Sequence, residues 1–286
     1  MSSVSAAPSY TPSAAPTVVI QPSRGFMDLD LVSLYRSWEL VYFLAWRDVK
    51  VRYKQTVIGV AWAVLQPLVT VLIFTLLFSR LSGMPSDGLP YPIFAFAALL
   101  PWTYFSQAIG RSGSSLVNNA ALVTKVYFPR LAIPLAAVFA PIVDFVVTLA
   151  MLLVMMAYYR IAPGWALLTL PLFLLMSIAT ALAVSLWLSA LCVKYRDVAV
   201  VIPFLLQIWL YLSPIAYPAS VVPERWRVLY SLNPMAGVID GFRWALLGTA
   251  MPDLRLVAVS AAVVAALLVG GVIYFRQTEL TFADVV

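Results

Sequence analysis

The ionisable residues of this chain are few, and their types restrict the chemistry that it could perform. Among its 286 residues, 18 are Lys or Arg, 12 are Asp or Glu, and none is His. Histidine is the most common general base and metal ligand near neutral pH, so its absence removes both roles. The chain also has no Gly-x-Ser-x-Gly nucleophile motif and no His-Glu-x-x-His zinc motif. These observations favour a protein without catalytic machinery of its own.

A phosphate-binding loop is absent as well. Such a loop needs Gly-Lys followed by Ser or Thr, because its backbone amides cradle the phosphates while the lysine reaches them. The chain contains no Gly-Lys dipeptide. Any ATP-driven function therefore requires a separate nucleotide-binding subunit, and we expect no cofactor in this chain, with ATP and magnesium bound by that partner. The single cysteine, Cys192, can form neither an intrachain disulfide nor a cysteine cluster for a metal.

One carboxylate, that of Asp144, lies midway through a long apolar stretch. It has no basic neighbour at helical spacing along its own segment. An ionisable residue in such a place is a candidate for function, and Asp144 is our candidate intramembrane acid. The structural alternative is that Asp144 pairs with another helix or stays neutral and hydrogen-bonded. A proton-coupled transporter would normally show more than one such group.

The elements that position these residues follow from the composition. Hydrophobic residues make up 63% of the chain and charged residues only 10%, whereas a soluble domain carries about 25% charged residues. Crossing the hydrocarbon core takes about 20 helical residues, and six continuous apolar stretches reach or approach that length. They cover residues 57–79, 92–111, 131–158, 166–192, 198–217 and 255–275. The sequence therefore predicts an all-α membrane protein with six transmembrane helices, within a transmembrane domain over residues 57–278.

The distribution of basic residues predicts the orientation. With the N-terminus inside, 12 of the 18 Lys and Arg residues fall in internal segments and 6 in outer ones. By the positive-inside rule, we expect both termini in the cytoplasm and the chain in a bacterial inner membrane. Residues 1–28 are predicted to be a disordered cytoplasmic tail, and residues 279–286 a cytoplasmic C-terminal tail. The net charge of +6 then reflects orientation, and we expect no nucleic-acid partner.

Three segments outside the spans have their own character. Residues 29–56 carry apolar residues at a spacing of three to four and basic residues towards their end, which predicts an amphipathic helix in the membrane interface. The internal loop 112–130 contains a small helical motif that should end before Pro129. The outer segment 218–254 contains two amphipathic pieces, about 223–232 and 235–248. We interpret it as a re-entrant hairpin of short helices between the fifth and sixth spans, the alternative being a surface loop.

Aromatic residues form 13% of the chain, and many flank the spans as interfacial belts do. Others lie deeper and could stack on the C–H faces of sugar rings, so we consider them channel-lining candidates, with side-chain packing as the alternative. These candidates are Phe74, Phe78, Tyr104, Phe105, Phe204, Trp209 and Tyr211.

Six short motifs occur in a specific order along the chain. They are RYKQTVIGVAWAVLQPL (52–68), LVTKVYFPRLAIP (122–134), KYRDV (194–198), LSPIAYP (212–218), LNPMAGVIDGFRWALLG (232–248) and FRQTELTFADVV (275–286). Together they resemble the ABC-2 type permeases that export polysaccharides such as O-antigen, capsule and teichoic acid, over about residues 40–286. The resemblance implies a homodimer with two ABC-type ATPase subunits that moves a lipid-linked polysaccharide outward between its two permeases.

The resemblance also assigns roles to particular segments. In that family the segment matching Asn119–Arg130 couples to the ATPase, and the N-terminal helix, about 31–54 here, approaches it. The basic end of the predicted interfacial helix and the 116–130 loop are also the two charged surfaces at the inner boundary. The predicted coupling residues are Arg47, Asp48, Lys50, Arg52, Asn119, Leu122, Lys125, Phe128, Pro129 and Arg130. The outer hairpin, about 233–248, is the expected gate, with Asn233, Pro234, Asp240, Arg243 and Trp244.

Three alternatives to this function stay open. An ABC-2 permease for a lipid or a drug would share all of these features except the cargo. An integral-membrane glycosyltransferase or polymerase predicts catalytic carboxylates or an Arg/His cluster on an outer loop, where this chain has Asp240 and Arg243 but no histidine. A secondary transporter predicts internal repeats and several buried ionisable groups, and only Asp144 qualifies.

Overall fold

A computed structural model describes residues 37–54, 57–126, 128–279 and 282, with the side chains of residues 57–60 excepted. The predicted tail 1–28, the first part of the predicted interfacial helix and most of the predicted tail 279–286 lie outside this part. Within it the fold is entirely helical, and no strand is present. The predicted fold class is therefore confirmed at the level of an all-α protein.

Twelve α-helices, numbered here in chain order, account for most of the described residues. They are α1 Trp38–Tyr53, α2 Val57–Phe74, α3 Tyr91–Gly113, α4 Ser115–Asn118, α5 Ala120–Lys125, α6 Ala132–Phe139, α7 Ile142–Tyr158, α8 Leu170–Lys194, α9 Val198–Leu212, α10 Glu224–Ser231, α11 Pro234–Leu247 and α12 Leu254–Glu279. A π-helical turn, Thr75–Leu81, extends α2, and a 3-10 turn, Trp165–Thr169, precedes α8. The paired helices α6 and α7 are separated at Ala140-Pro141, where proline has no N–H for a helical hydrogen bond.

Five of the six predicted spans coincide with helices long and apolar enough to cross a membrane. These are Ala61–Leu81, Tyr91–Gly113, Ala132–Tyr158, Trp165–Lys194 and Leu254–Glu279. The stretch 198–217 behaves differently, because its helix α9 has only 15 residues and ends at Leu212. Ser213 is extended, as a residue before proline tends to be, so the helix stops five residues before the predicted end. At 1.5 Å per residue α9 is about 22 Å long, shorter than the roughly 30 Å hydrocarbon core.

The centre of the molecule is built around α3. Most of its residues are buried, and it packs against α7, α8 and α11. Helix α8 lies between α3 and α12, and α11 adds to the same core. Close packing of α11 depends on Gly241, since a Cβ atom there would lie 2.1 Å from a ring carbon of Phe173 on α8. A glycine is thus required for α11 to approach α8 this closely.

Helix α1 packs on α6 through Val41 and Leu44, which are buried. Trp38 packs edge-on against Phe139 of α6, with ring centres 5.6 Å apart, while Tyr42 and Trp46 project from the helix and are exposed. The sequence pattern placed Val41, Trp38 and Tyr42 on one apolar face, and of these Val41 and Trp38 contact α6 whereas Tyr42 is exposed. Indole and phenol side chains that project from a helix beside apolar spans are typical of the membrane interface. The interfacial position of this helix stays a prediction.

The two helices predicted in the segment 218–254 are present as α10 and α11. Asn233 caps α11, because its side-chain oxygen accepts a hydrogen bond from the N–H of Met235, 3.0 Å away. Pro234 occupies the first helical position, and Gly248 ends the helix in the left-handed conformation with φ 67°. All residues of α11 except Asp240 are buried, so this part of the segment is a core element and does not lie on the surface as a loop.

Candidate coupling surface and outer hairpin

The predicted coupling residues on α1 and on the 114–126 segment meet in the structure. A terminal guanidinium nitrogen of Arg47 donates to the carboxylate of Asp48 at 2.9 Å and to the side-chain oxygen of Asn119 at 3.0 Å. Asn119 lies between α4 and α5 and donates its own amide to the carbonyl of Ser115 at 2.8 Å. Arg47 therefore joins two segments that the sequence could only place on the same side of the membrane.

Four of the remaining predicted coupling residues fall into two groups. Lys50 and Lys125 are exposed cations, while Leu122 and Phe128 pack against the core cluster beneath α1. Pro129 is half-buried at the turn that precedes α6. Only the exposed members of this set could contact another protein directly, and the apolar members fix the segment to the bundle.

Arg130 is bound to the far end of the chain. Its guanidinium donates to the backbone carbonyl of Glu279, and its backbone N–H donates to the carboxylate of the same residue at 3.3 Å. Glu279 ends α12 and also pairs with Arg276. In this structure Arg130 fastens the start of α6 to the end of α12.

Arg52 and the intramembrane acid Asp144 belong to one cluster. The carboxylate of Asp144 accepts hydrogen bonds from the guanidinium of Arg52 and the hydroxyl of Tyr53, and a nitrogen of Arg111 lies 3.9 Å from it. Arg52 also donates to the amide oxygen of Gln107 at 3.0 Å. The cluster joins the end of α1 to α3 and α7. Asp144 could be a functional acid or a structural residue that pairs with another helix. Its contacts with Arg52, Tyr53 and Arg111 match the structural pairing.

Tyr53 is a neutral donor in this cluster. Burial, together with the hydrogen bond to the Asp144 carboxylate, raises the pKa of Tyr53 to about 12. A group with this pKa stays protonated at physiological pH and can keep donating to Asp144. Tyr53, Gln107 and Arg111 were not among the predicted site residues. Because they lie on other helices than Asp144, spacing along one helix could not identify them.

A narrow polar cavity of about 30 Å³ adjoins this cluster. Its lining includes Arg52, Asp144 and Gln107 together with hydroxyl side chains of α2, α3 and α7, those of Thr70, Thr103 and Thr148. A polar space of this size is large enough for one or two water molecules. Among the described residues no group of three or more Asp, Glu or Cys side chains is placed to hold a metal ion.

Arg243 holds the predicted outer hairpin, residues 218–254, to the bundle. Its guanidinium donates to the carbonyls of Ile215 at 2.9 Å, Tyr217 at 3.3 Å and Phe94 at 3.4 Å, and lies 3.5 Å from the centre of the Phe94 ring. Only 3% of Arg243 is exposed. A buried cation is tolerated when carbonyl dipoles and an aromatic face surround it, as they do here. The loop 213–218, the start of α3 and α11 are thus tied to one side chain.

Asn233 provides a second attachment. Besides capping α11, its side-chain oxygen accepts from the indole N–H of Trp209 at 2.8 Å, and its amide donates to the carbonyl of Leu212 and the hydroxyl of Ser213. Trp244 packs edge-on against Trp165, with ring centres 5.4 Å apart. Asp240 is the partly exposed residue of α11. The predicted gate residues therefore occupy the hairpin's attachment points as well as its surface.

The seven aromatic channel-lining candidates are not on one wall of the subunit. Tyr104 and Phe105 are buried in the core and have no surface to offer a substrate in this conformation. Phe74 and Phe78 are half-buried against each other. Phe204 and Tyr211 on α9 are exposed by 62% and 60%, whereas Trp209 on the same helix is half-buried. The density of aromatic residues in a sequence therefore does not distinguish residues that could line a channel from residues that pack in the core.

Comparison with known proteins identifies relatives of this chain. A family model described as "ABC-2 type transporter" matches residues 39–247. A protein named "O-antigen export system permease protein RfbA" from Myxococcus xanthus is 29% identical over 253 residues, which cover 88% of this chain and 96% of that protein.

Two further relatives have names of the same kind. A Klebsiella pneumoniae protein, also named "O-antigen export system permease protein RfbA", is 27% identical over 210 residues, covering 72% of this chain and 79% of that protein. The "Polysialic acid transport protein KpsM" of Escherichia coli is 23% identical over 206 residues, covering 70% and 78% of the two chains.

Proposed function

Because the chain belongs to the ABC-2 type transporter family, we propose that it is the permease subunit of an ABC exporter for a lipid-linked polysaccharide, such as an O-antigen, across the bacterial inner membrane. The observation that carries the proposal is the likeness to the Myxococcus xanthus O-antigen export permease, which extends over nearly the whole of both chains. A further relative is the polysialic acid transport protein of Escherichia coli, whose name gives another polysaccharide as its cargo.

The proposed topology has six spans, with both termini in the cytoplasm. Five helices have the length and composition to cross the membrane, and α9 is the proposed fifth span in chain order. Helix α9 is about 22 Å long, and the turn over residues 213–217 continues the chain from its end towards the proposed outer face. Helix α11 is then proposed to re-enter the membrane from that face. Its burial supports this arrangement, since α11 needs protein around it at that depth.

The proposed assembly contains two copies of this chain and two ATPase subunits, which hold ATP and magnesium. The absence of a Gly-Lys dipeptide supports a separate source of energy. A glycan is too polar for lipid and needs an enclosed path, which two copies can frame more widely than one. In this assembly Phe204 and Tyr211 on α9 are the best placed of the aromatic candidates to line that path, because they are exposed. In this proposal the present chain is a transport subunit and has no enzymatic activity of its own.

Coupling to the ATPase is proposed to occur at the exposed cations beside Asn119. Lys50 and Lys125 are available there for acidic groups of a partner. From Asn119 a path of polar contacts leads through Arg47 into α1, and from the end of α1 through Arg52 to Asp144 on α7. A displacement of the 114–126 segment by the ATPase would then shift α1 and the bundle together as rigid bodies.

The outer hairpin is the proposed gate at the exit. Arg243 and Asn233 attach α11 to the bundle, whereas most residues of α10 are exposed and Ser231 is its one fully buried residue. An element with few buried contacts moves at lower cost than one packed in the core. We therefore assign the moving part of the gate to α10 and the fixed part to α11.

Deletion of the gene in its host, followed by complementation, tests the proposal. We expect the deletion strain to lose its surface polysaccharide and to accumulate lipid-linked glycan inside the cell, and the intact gene to restore export. Unchanged surface polysaccharide with no internal accumulation would contradict glycan export. A lipid or drug phenotype in the same strain would then assign the permease to another cargo.

A further inference from the structure

An apolar cavity lies between one face of α9 and the helices α3, α8 and α12. Its volume is about 460 Å³, within the range of about 300–1,000 Å³ that is usual for small-molecule sites. One wall consists of a single face of α9, with Ile202, Leu205, Leu206, Trp209 and Leu212 at helical spacing. The facing wall comes from α8, α12 and α3. Helix α9 contacts α3 through Ile202 beside Gly113 and through Trp209 against Phe105, and the cavity lies alongside these contacts.

The lining excludes polar ligands. Asn233 is its one polar side chain apart from the indole N–H of Trp209, and these two groups are already bonded to each other at 2.8 Å. The amide of Asn233 donates to Leu212 and Ser213 as well. A sugar, a phosphate or a chain of water molecules would find no free partner here and would lose its own hydration. The chemistry of the walls fits a hydrocarbon.

The dimensions and the position select one kind of hydrocarbon. From Ile202 to Leu212 the α9 wall rises by about 15 Å, which is half of the roughly 30 Å hydrocarbon core and so the depth of one leaflet. The other walls, including Val184, Leu188 and Leu267, belong to membrane-spanning helices. On the α9 side, Leu205 and Leu212 are lining residues that remain exposed, so the cavity opens at the surface of the spans.

We propose that this cavity is a binding site for one acyl tail of a membrane phospholipid. The tail enters between the helices and fills the space between α9 and the α8–α12 pair. It supplies α9 with apolar contacts that the protein itself does not provide, because α9 packs on α8 and α3 over only part of its length. The site does not depend on the identity of the exported cargo.

The test uses the full-length protein in vesicles of phosphatidylcholine whose acyl chains carry bromine, which quenches indole fluorescence on contact. Nine tryptophans emit, so the contribution of Trp209 is the difference between the wild type and Trp209→Phe, compared with the same pair in vesicles without bromine. We expect the Trp209 contribution to lose most of its intensity in the brominated vesicles. An unchanged contribution would mean that protein, such as a second copy of the chain, fills the cavity, and would overturn the proposal.

Two matched variants separate a tail inside the cavity from lipid around the protein. Val184→Phe places a ring inside the cavity, whereas Val200→Phe adds the same ring at an exposed position of α9 outside it. We expect Val184→Phe to restore the emission of Trp209 and Val200→Phe to leave it quenched. Equal quenching in both variants would overturn the proposal. Leu267→Phe fills the cavity from the α12 wall and replaces Val184→Phe if that variant does not fold.

Discussion

At the scale of single residues, two charged side chains inside the bundle each hold several elements together. Asp144 joins α7 to α1 and α3, and Arg243 joins α11 to α3 and to the loop 213–218. Both are positioned away from water, where an ion without partners is costly. The sequence identified Asp144 by its position in an apolar stretch and Arg243 through the family resemblance, but their partners lie many residues away. Arg52 is 92 residues from Asp144, so no periodicity along the chain relates them.

Asp144→Asn tests the first of these clusters. The substitution leaves Arg52 and Arg111 without their shared counter-charge while keeping the shape of the side chain. Hydrogen bonds to charged groups contribute about 1.5–3 kcal/mol, and Arg52 is partly exposed, so we expect a loss of about 2 kcal/mol in unfolding free energy. Thermal unfolding of the purified protein measures it. The exposed Asp197→Asn is the matched control and should leave the unfolding temperature unchanged; equal values for both variants would refute the role of Asp144.

Arg243→Lys tests whether the contacts of Arg243 hold α11 to the bundle. A lysine keeps the positive charge but cannot present the planar fork that reaches the three carbonyls and stacks on Phe94. We expect faster hydrogen exchange in residues 234–247, because α11 loses an attachment. Arg225→Lys, at an exposed position of α10, is the control and should leave that exchange unaltered. Protection of α11 that is the same in both variants would show that Arg243 does not hold the hairpin.

At the scale of elements, the sequence predicted which helices exist better than it predicted their lengths and their contacts. The long apolar helices and the two helices of the outer hairpin lie close to the predicted ranges, because continuous apolar runs and Pro or Gly boundaries are local signals. The length of α9 was overestimated, since apolar residues continue after the helix ends at Leu212. Which aromatics are buried was not predictable either, because Tyr104 and Phe204 differ in their packing and not in their local sequence signal.

The contact between α11 and α8 depends on the missing side chain of Gly241. In Gly241→Ala the new Cβ would lie 2.1 Å from the ring of Phe173, so the ring or the helix must shift. Overpacking of this kind costs about 1–3 kcal/mol, and we expect a lower unfolding temperature. Gly110→Ala is the matched control, because a Cβ there meets no atom within 4 Å and should be neutral or stabilising. Equal stability of the two variants would contradict the close packing.

The exposed cations of the 114–126 segment give the proposed coupling surface its charge. We expect Lys125→Glu to abolish most of the stimulation of the partner ATPase by the permease, because it reverses a charge at the docking site. Lys194→Glu makes the same change at another exposed lysine at the end of α8, outside this segment, and should preserve stimulation. ATP hydrolysis in isolated membranes measures both. If the two variants stimulate equally, the coupling surface is elsewhere.

At the scale of the whole molecule, composition and order of motifs were the informative signals. A chain with 10% charged residues and no phosphate-binding loop has to lie in a membrane and take ATP energy, if it uses any, from another protein. The family match over residues 39–247 agrees with the order of motifs. The assembly of several copies cannot be deduced from one chain, since exposed apolar helices meet lipid and protein partners equally well.

Glycan uptake by inverted inner-membrane vesicles tests the central claim most directly. ATP added outside such vesicles reaches the cytoplasmic side, and exported glycan becomes enclosed in the lumen, where added glycosidase cannot degrade it. We predict ATP-dependent protection of lipid-linked polysaccharide in vesicles that contain this chain and none in vesicles from the deletion strain. Equal protection in the two preparations would contradict a role of this chain as the permease.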